Sequence, residues 1–208
     1  MNWNQAIAPL IAKYHGKPHP LSHGGNRYRL LVMVLLSAQD SDAHINALAP
    51  EFFAAFPTMA QLARATEDQL AALLSSVRNF QRKIQYLLKL APLVGSDEAV
   101  PTTHAGLTAL PGLGSKSANV ILHELGLPAE GLIVDLHVIR VAPRLGLTPP
   151  LEDGNKVEKL LLPQFRRDLW GDVGMALTFL GRETCRPTRP HCPECLMNAV
   201  CAYPDKTQ

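Results

Sequence analysis

Every cysteine of this 208-residue chain lies in its last 24 residues, spaced C-x6-C-x2-C-x5-C at Cys185, Cys192, Cys195 and Cys201. Four thiols so close together suit either two disulfides or one metal centre. The N-terminal MNWNQAIAPLIAKYHGK has no basic region, apolar run and cleavage site in succession, so no secretory signal is read there. Reducing compartments disfavour disulfides, which leaves metal binding as the expected chemistry. Zinc favours paired C-x2-C knuckles, and here only Cys192 and Cys195 have that spacing. An iron–sulfur cluster also takes four thiolates and tolerates uneven spacing. Spacing therefore points to a metal and leaves both metals open.

A second constellation is Leu110–Val120, LPGLGSKSANV. It is not a phosphate-binding P-loop, because Ser115 stands where glycine must precede Lys-Ser. It is not a dinucleotide fingerprint either, because Pro111 precedes the turn and Ser117 replaces the third glycine. What remains is helix, P-G-x-G turn, helix. Such a turn needs glycine where the backbone bends sharply, and amides opening a new helix suit a phosphate. A tight turn between two packed helices would look the same. Lys116 distinguishes the readings. A lysine in a first helical turn sits at the positive end of the helix dipole, which favours the neutral, nucleophilic amine, and partial burial would add to this.

The third constellation is Val134–Val141, VDLHVIRV. Asp135 follows an apolar pair and precedes a helical run, the position of an N-cap. A capping carboxylate is held rigidly, so capping and catalysis are compatible. His137 and Arg140 follow it along the same helix.

The elements that must position these residues read as helices throughout. Thr66–Gln69 is a capping-box pattern, followed by Leu70, Leu73, Leu74 and Val77 at helical spacing. Ile84, Leu87, Leu88 and Ala91 repeat that spacing before Pro92, and Ala118, Ile121, Leu122 and Leu125 repeat it before a C-capping Gly126. Tyr28 to Leu36 is apolar nearly all round, the pattern of a central buried helix. A first helix is expected from Asn4 to Tyr14. Ile133 and Val134 begin too short an apolar run to predict a strand. The 17 prolines mostly mark breaks between helices. A block from about 20 to 130 is expected to be followed by a second block from 131 that carries the cysteines. Net charge is +2 and pI about 8.4, which permits a local nucleic-acid patch and disfavours a DNA-coating protein. No window approaches the ~18 unbroken apolar residues of a membrane span.

Together, LLSAQDSD (Leu35–Asp42), LPGLGSKSANV, VDLHVIRV and the cysteine loop resemble, in order and spacing, the endonuclease III family of DNA glycosylases, in the helix-hairpin-helix, Gly-Pro-Asp superfamily. The resemblance covers nearly the whole chain. It implies an all-α fold of two helical lobes flanking a DNA-binding cleft. One domain would span 20–130 with the helix-hairpin-helix, and the other 1–19 plus 131–208. It implies a [4Fe–4S] cluster on the four cysteines, with Arg186 and Arg189 facing phosphates. Lys116 matches the catalytic lysine and Asp135 the catalytic aspartate. Gly112, Leu113 and Gly114, with Ser115 and His137, match DNA contacts, and Gln39 matches a residue inserted into the helix where the damaged base leaves. The implied reaction is removal of oxidised pyrimidines from double-stranded DNA, then nicking at the abasic site by β-elimination. The expected enzyme is a monomer of the bacterial cytoplasm, at the nucleoid, with no membrane partner.

Two positions depart from the family. Leu136 stands where it usually has threonine, and Asn79 where it has a leucine wedge facing the orphaned base. An asparagine stacks poorly and its amide needs partners, which implies slower or narrower base extrusion. Two other readings stand beside this one. One is a mismatch-type relative without lyase activity, which generally lacks the hairpin lysine. The other is a weakly catalytic, metal-stabilised DNA-binding module.

Overall fold

The 132–134 segment, too short an apolar run to predict a strand, is buried, and no strand occurs among the described residues 1–207 of this computed structural model. Its helices run α1 (Trp3–Ala6), α2 (Ala8–Tyr14), α3 (Arg27–Ser37), α4 (Asp42–Ala55), α5 (Met59–Leu62), α6 (Glu67–Leu74), α7 (Phe80–Val94), α8 (His104–Thr108), α9 (Ser115–Glu124), α10 (Leu136–Leu145), α11 (Gly154–Leu161) and α12 (Trp170–Glu183). The chain divides into Pro18–Leu127 and a second unit of Met1–Lys17 with Pro128–Gln208. No helix among the described residues is long and apolar enough to cross a membrane.

The first unit is built around α3. Asn26 caps it by accepting from the Arg29 amide at 2.9 Å, and Tyr28 and Leu30 to Leu36 are all buried. A helix apolar on every side requires neighbours on every side, and α4, α7 and α9 supply them. The Tyr28 hydroxyl meets its buried partner at the Phe56 carbonyl, 2.7 Å away. In α6 the Thr66–Gln69 capping box forms in both directions. Three prolines lie inside helices rather than between them: Pro50, Pro92 and Pro143. At Pro92, the buried Ala91 and Val94 hold the last turn, and Gly95 at φ +75° ends it. α9 closes in a Schellman turn around Gly126, with Leu127 N–H on Leu122 O and Gly126 N–H on His123 O, both at 3.0 Å.

In the second unit the expected first helix is two, α1 and α2, stepping at Ile7. Pro9 has no amide to continue the ladder, and it opens α2 instead. α2 lies on α12, where Tyr14 stacks on Phe179 at 5.4 Å and its hydroxyl donates to Glu183 at 3.0 Å. α12 carries the unit's core, with every residue from Val173 to Gly181 buried. Two of its glycines allow unusually close packing. A Cβ on Gly174 would lie 2.7 Å from the Ile133 amide nitrogen and 2.9 Å from its carbonyl, and one on Gly181 would lie 2.7 Å from His137 Cβ. These contacts set the height of the 132–137 backbone, and with it Asp135.

Gly174→Ala should therefore force the 132–134 segment away from α12 and destabilise the protein by roughly 1–3 kcal/mol, the cost of overpacking a core. Urea denaturation of the two proteins measures it.

Candidate functional site

The hairpin lies between α8 and α9. Gly112 has φ +84°, and a Cβ there would press to 2.6 Å of the Tyr86 ring on α7, so glycine is required twice over. Leu113 is buried and anchors the turn. Gly114 is different. Its backbone, φ −107° and ψ −180°, suits any residue, and a Cβ would meet nothing within 4 Å. The fold gives no reason for glycine at 114. A partner approaching the backbone would. As N-cap of α9, Gly114 also brings no side-chain oxygen to the first-turn amides. His104 Nε2 on α8 shares a hydrogen bond with Ser115 Oγ at 3.0 Å. Lys116 is the second residue of α9 and is exposed. The partial burial considered from the sequence is absent, because the buried face of α9 begins at Ala118.

Gln39 and Asn79, 40 positions apart, come together in the same unit. Asn79 Nδ2 donates to Gln39 Oε1 at 3.0 Å. Both side chains are exposed and both backbones are left-handed, at φ +60° and +57°. The two residues thus stand side by side. Asp40 brings this about. Its Oδ2 accepts from the Arg78 amide at 2.8 Å, while its Oδ1 accepts from the Ser41 amide at 2.8 Å and from His44 Nδ1 at 2.9 Å. Lys83, buried, donates to the Leu36 carbonyl at 2.6 Å and fixes the end of α3 just before the turn. Nothing in the sequence around Asp40 marked it for this role, because its partner at Arg78 is 38 positions away and is a backbone amide.

In the second unit Asp135 is the N-cap of α10. Its Oδ1 takes both capping bonds, from His137 N–H at 2.8 Å and Val138 N–H at 2.9 Å, so Oδ2 is left for other work. The preceding Leu132 amide is itself held, at 3.0 Å, by the buried Glu158 carboxylate. Leu136 beside Asp135 points outward, 79% exposed. Burial, with the nearby Arg182 and Arg140, outweighs the Asp135 charge and holds the His137 imidazole below its ordinary pKa. His137 Nδ1 accordingly faces a donor, Arg140 Nη2, at 3.2 Å.

The far end of α10 holds the cysteine loop. Arg140 Nε donates to the Cys185 carbonyl at 3.1 Å and its Nη2 to the Gly181 carbonyl at 2.8 Å. Arg144 Nη1 reaches Cys185 Sγ at 3.4 Å and Arg186 O at 2.8 Å, while its guanidinium lies 4.4 Å over the Tyr203 ring. Arg144 was missed from the sequence, although its i,i+4 spacing from Arg140 placed both on one helix face. All four cysteines line one open cavity, with Leu145 and Leu180 also in its wall. Burial pushes the Cys195 thiol up, and the other three sulfurs add to this. No three His, Cys, Asp or Glu side chains among the described residues are grouped as for a single ion. Arg186 and Arg189 are exposed on this loop, Arg189 at φ +49°.

Residues 32–166 match the family described as HhH-GPD superfamily base excision DNA repair protein. Over 203 residues the chain is 34% identical to Endonuclease III of Rickettsia felis, covering 95% of this chain and 92% of that one. This chain belongs to the endonuclease III family. Endonuclease III of Escherichia coli K12 is 28% identical over 99% of both chains. A solved structure, a trapped Endonuclease III–DNA covalent intermediate in an estranged-adenine complex, superposes with a TM-score of 0.83 at 28% identity, over 95% of this chain and 92% of that one. Against endonuclease III of these sources, the all-helical architecture and the helix-hairpin-helix expected from the sequence are both present.

The Asp40 brace yields a pH signature. Burial alone would raise its carboxyl pKa, but the Arg78 amide, the His44 imidazole and the Ser41 amide outweigh that and hold it below the ordinary 3.8. A depressed folded value means stabilisation that is present above pH 3.8 and lost as pH falls through the lower, folded value. In urea titrations, the stability advantage of the parent over Asp40→Asn should be full at neutral pH and shrink as pH is taken down to about 3.

Proposed function

We propose that this chain is a bifunctional DNA N-glycosylase and abasic-site lyase that removes oxidised pyrimidines from double-stranded DNA during base excision repair and nicks the strand by β-elimination. The observation that carries the reading is the hairpin. An exposed primary amine, Lys116, stands two residues after a glycine, Gly114, that the fold itself does not require. Phosphate on the Gly114–Ser115 amides would bring the DNA backbone to the lysine. A base inside a duplex is out of reach, so the nucleotide must first leave the stack.

The chemistry then balances as follows. The unprotonated Lys116 Nζ bonds to the sugar C1′, and the bond from C1′ to the base breaks, with its electron pair leaving on the base. Opening of the sugar ring converts the adduct to a protonated Schiff base. Loss of a C2′ proton drives departure of the 3′-phosphate, which is the nick. Asp135 Oδ2 stabilises the positive charge that builds at the sugar and accepts protons, while Oδ1 stays on the helix cap. The neutral His137 behind it adds no competing charge. The substrate is DNA bearing a damaged base or an abasic site, and the enzyme acts as a monomer at the bacterial nucleoid.

Cys185, Cys192, Cys195 and Cys201 would hold a [4Fe–4S] cluster. The four cysteines line one cavity, and a cluster takes four thiolates, each on its own iron, at uneven spacing along the chain. When bound, the cluster supplies a cross-link that fixes the C-terminal loop and its two arginines.

Lys116→Ala should abolish both nicking and borohydride trapping on an abasic duplex while leaving duplex binding largely intact. Asp135→Asn should slow base removal by at least about a hundredfold, with a much smaller effect on binding. Covalent trapping that survives in Lys116→Ala would assign the nucleophile to another amine.

Purified protein should be brown and carry about four irons and four sulfides per chain. Cys192→Ser should lose stability as well as colour, because metal binding is coupled to folding of the loop. Stoichiometric zinc without sulfide would overturn the cluster assignment.

A further inference from the structure

Three non-glycine residues among those described have positive φ, and two of them, Gln39 and Asn79, are hydrogen-bonded to each other. Left-handed backbone is tolerable for asparagine but unfavourable for glutamine, and strain of this kind persists only where the surroundings impose it. Here the imposing group is Asp40, one carboxylate bonded to both turns. Asn79 also forgoes the common use of its side chain. It stands at the N-cap of α7 yet makes no capping bond there. Its amide is instead committed to Gln39.

The bond between them uses one N–H of Asn79 and the oxygen of Gln39. The atoms of the two carboxamides outside that bond are Gln39 Nε2, a donor, and Asn79 Oδ1, an acceptor, and Asn79 Nδ2 keeps a second N–H. Two exposed carboxamides joined in this way offer a donor and an acceptor in fixed order, which is the complement of a nucleobase edge. Adenine and cytosine carry an amino donor next to a ring-nitrogen acceptor. Guanine and thymine carry a carbonyl acceptor next to a ring N–H donor. A fixed order can match one of these classes and not the other.

We propose that the Gln39–Asn79 pair, braced by Asp40, is a specificity element that reads the base left unpaired in the duplex and sorts amino-edge from keto-edge bases. This rests on the reading of the chain as a base-excision enzyme. It turns the loss of a leucine wedge into a gain of polar recognition. Some stacking is given up, and the amide desolvation that would make a lone asparagine costly is offset by its bond to Gln39 and by the base it reads.

The test uses binding rather than turnover. Four duplexes carry a tetrahydrofuran abasic analogue opposite A, C, G or T and are otherwise identical. Each is titrated with the full chain, as purified, at one salt concentration. The affinities should separate A and C from G and T by roughly tenfold, the scale of one bidentate contact. Asn79→Gly keeps the left-handed backbone and removes the amide, and should compress the four affinities to within about twofold. Gln39→Glu still accepts from Asn79 but replaces the outward donor by an acceptor. It should move the preference toward guanine, whose N1–H and N2–H are adjacent donors. Four equal affinities for the parent, or a split that Asn79→Gly leaves in place, would overturn the proposal. Borohydride trapping on a true abasic duplex, run alongside, separates the two readings. Trapping with four equal affinities removes the role of the pair alone. A split without trapping removes the lyase reading and keeps the pair. No binding to any of the four duplexes removes both.

Discussion

A helix can lie against another stretch of backbone only where no Cβ intervenes, and Gly174 and Gly181 are where α12 meets that condition. The rest of the cysteine-bearing unit depends on it. The contact at Ile133 fixes the buried segment that leads into Asp135, and the contact at His137 fixes the first turn of α10. Asp135 then completes that turn by capping it. The same helix ends in Arg140 and Arg144, which hold the carbonyls of Cys185, Arg186 and Pro187. One helix of ten residues thus carries the carboxylate at its head and the cysteine loop at its tail. Displacement of either end would be felt at the other, because an α-helix transmits a shift rather than absorbing it.

The hairpin unit solves a different problem. Its hairpin and the residues around Gln39 and Asn79 lie on turns, and turns have no ladder of hydrogen bonds to hold them. Each is therefore fixed by a side chain from elsewhere. Tyr86 packs on Gly112, Leu113 plugs into the core, and Asp40 ties residues 39–41 to residue 78. A carboxylate is well suited to this last task. Two oxygens accept several amide bonds at once, and charge-assisted bonds of this kind are stronger than neutral ones. Burying the charge has a cost, since the Asp40 side chain is only 11% exposed, and the Arg78 and Ser41 amides with the His44 imidazole outweigh it.

Much of this was legible in the sequence because it is local. The burial of Tyr28 to Leu36, the Thr66–Gln69 capping box, the cap at Asp135 and the Gly126 stop all depend on residues within four or five positions of each other. Hydrogen-bonding and apolar periodicity act over that range, so residue type and spacing determine the outcome. The split of the first helix at Ile7 was also local, though the missing amide of Pro9 was overlooked among the apolar residues. What only the tertiary structure decided is long-range. No spacing rule marks a glycine at 174 for contact with an amide at 133, or a carboxylate at 40 for an amide at 78. The same holds for the exposure of Lys116, the guanidinium of Arg144 on Cys185, and the pairing of Gln39 with Asn79. Each is settled by which surfaces meet once helices pack, and that is a property of shape and burial across the whole unit rather than of neighbouring residues.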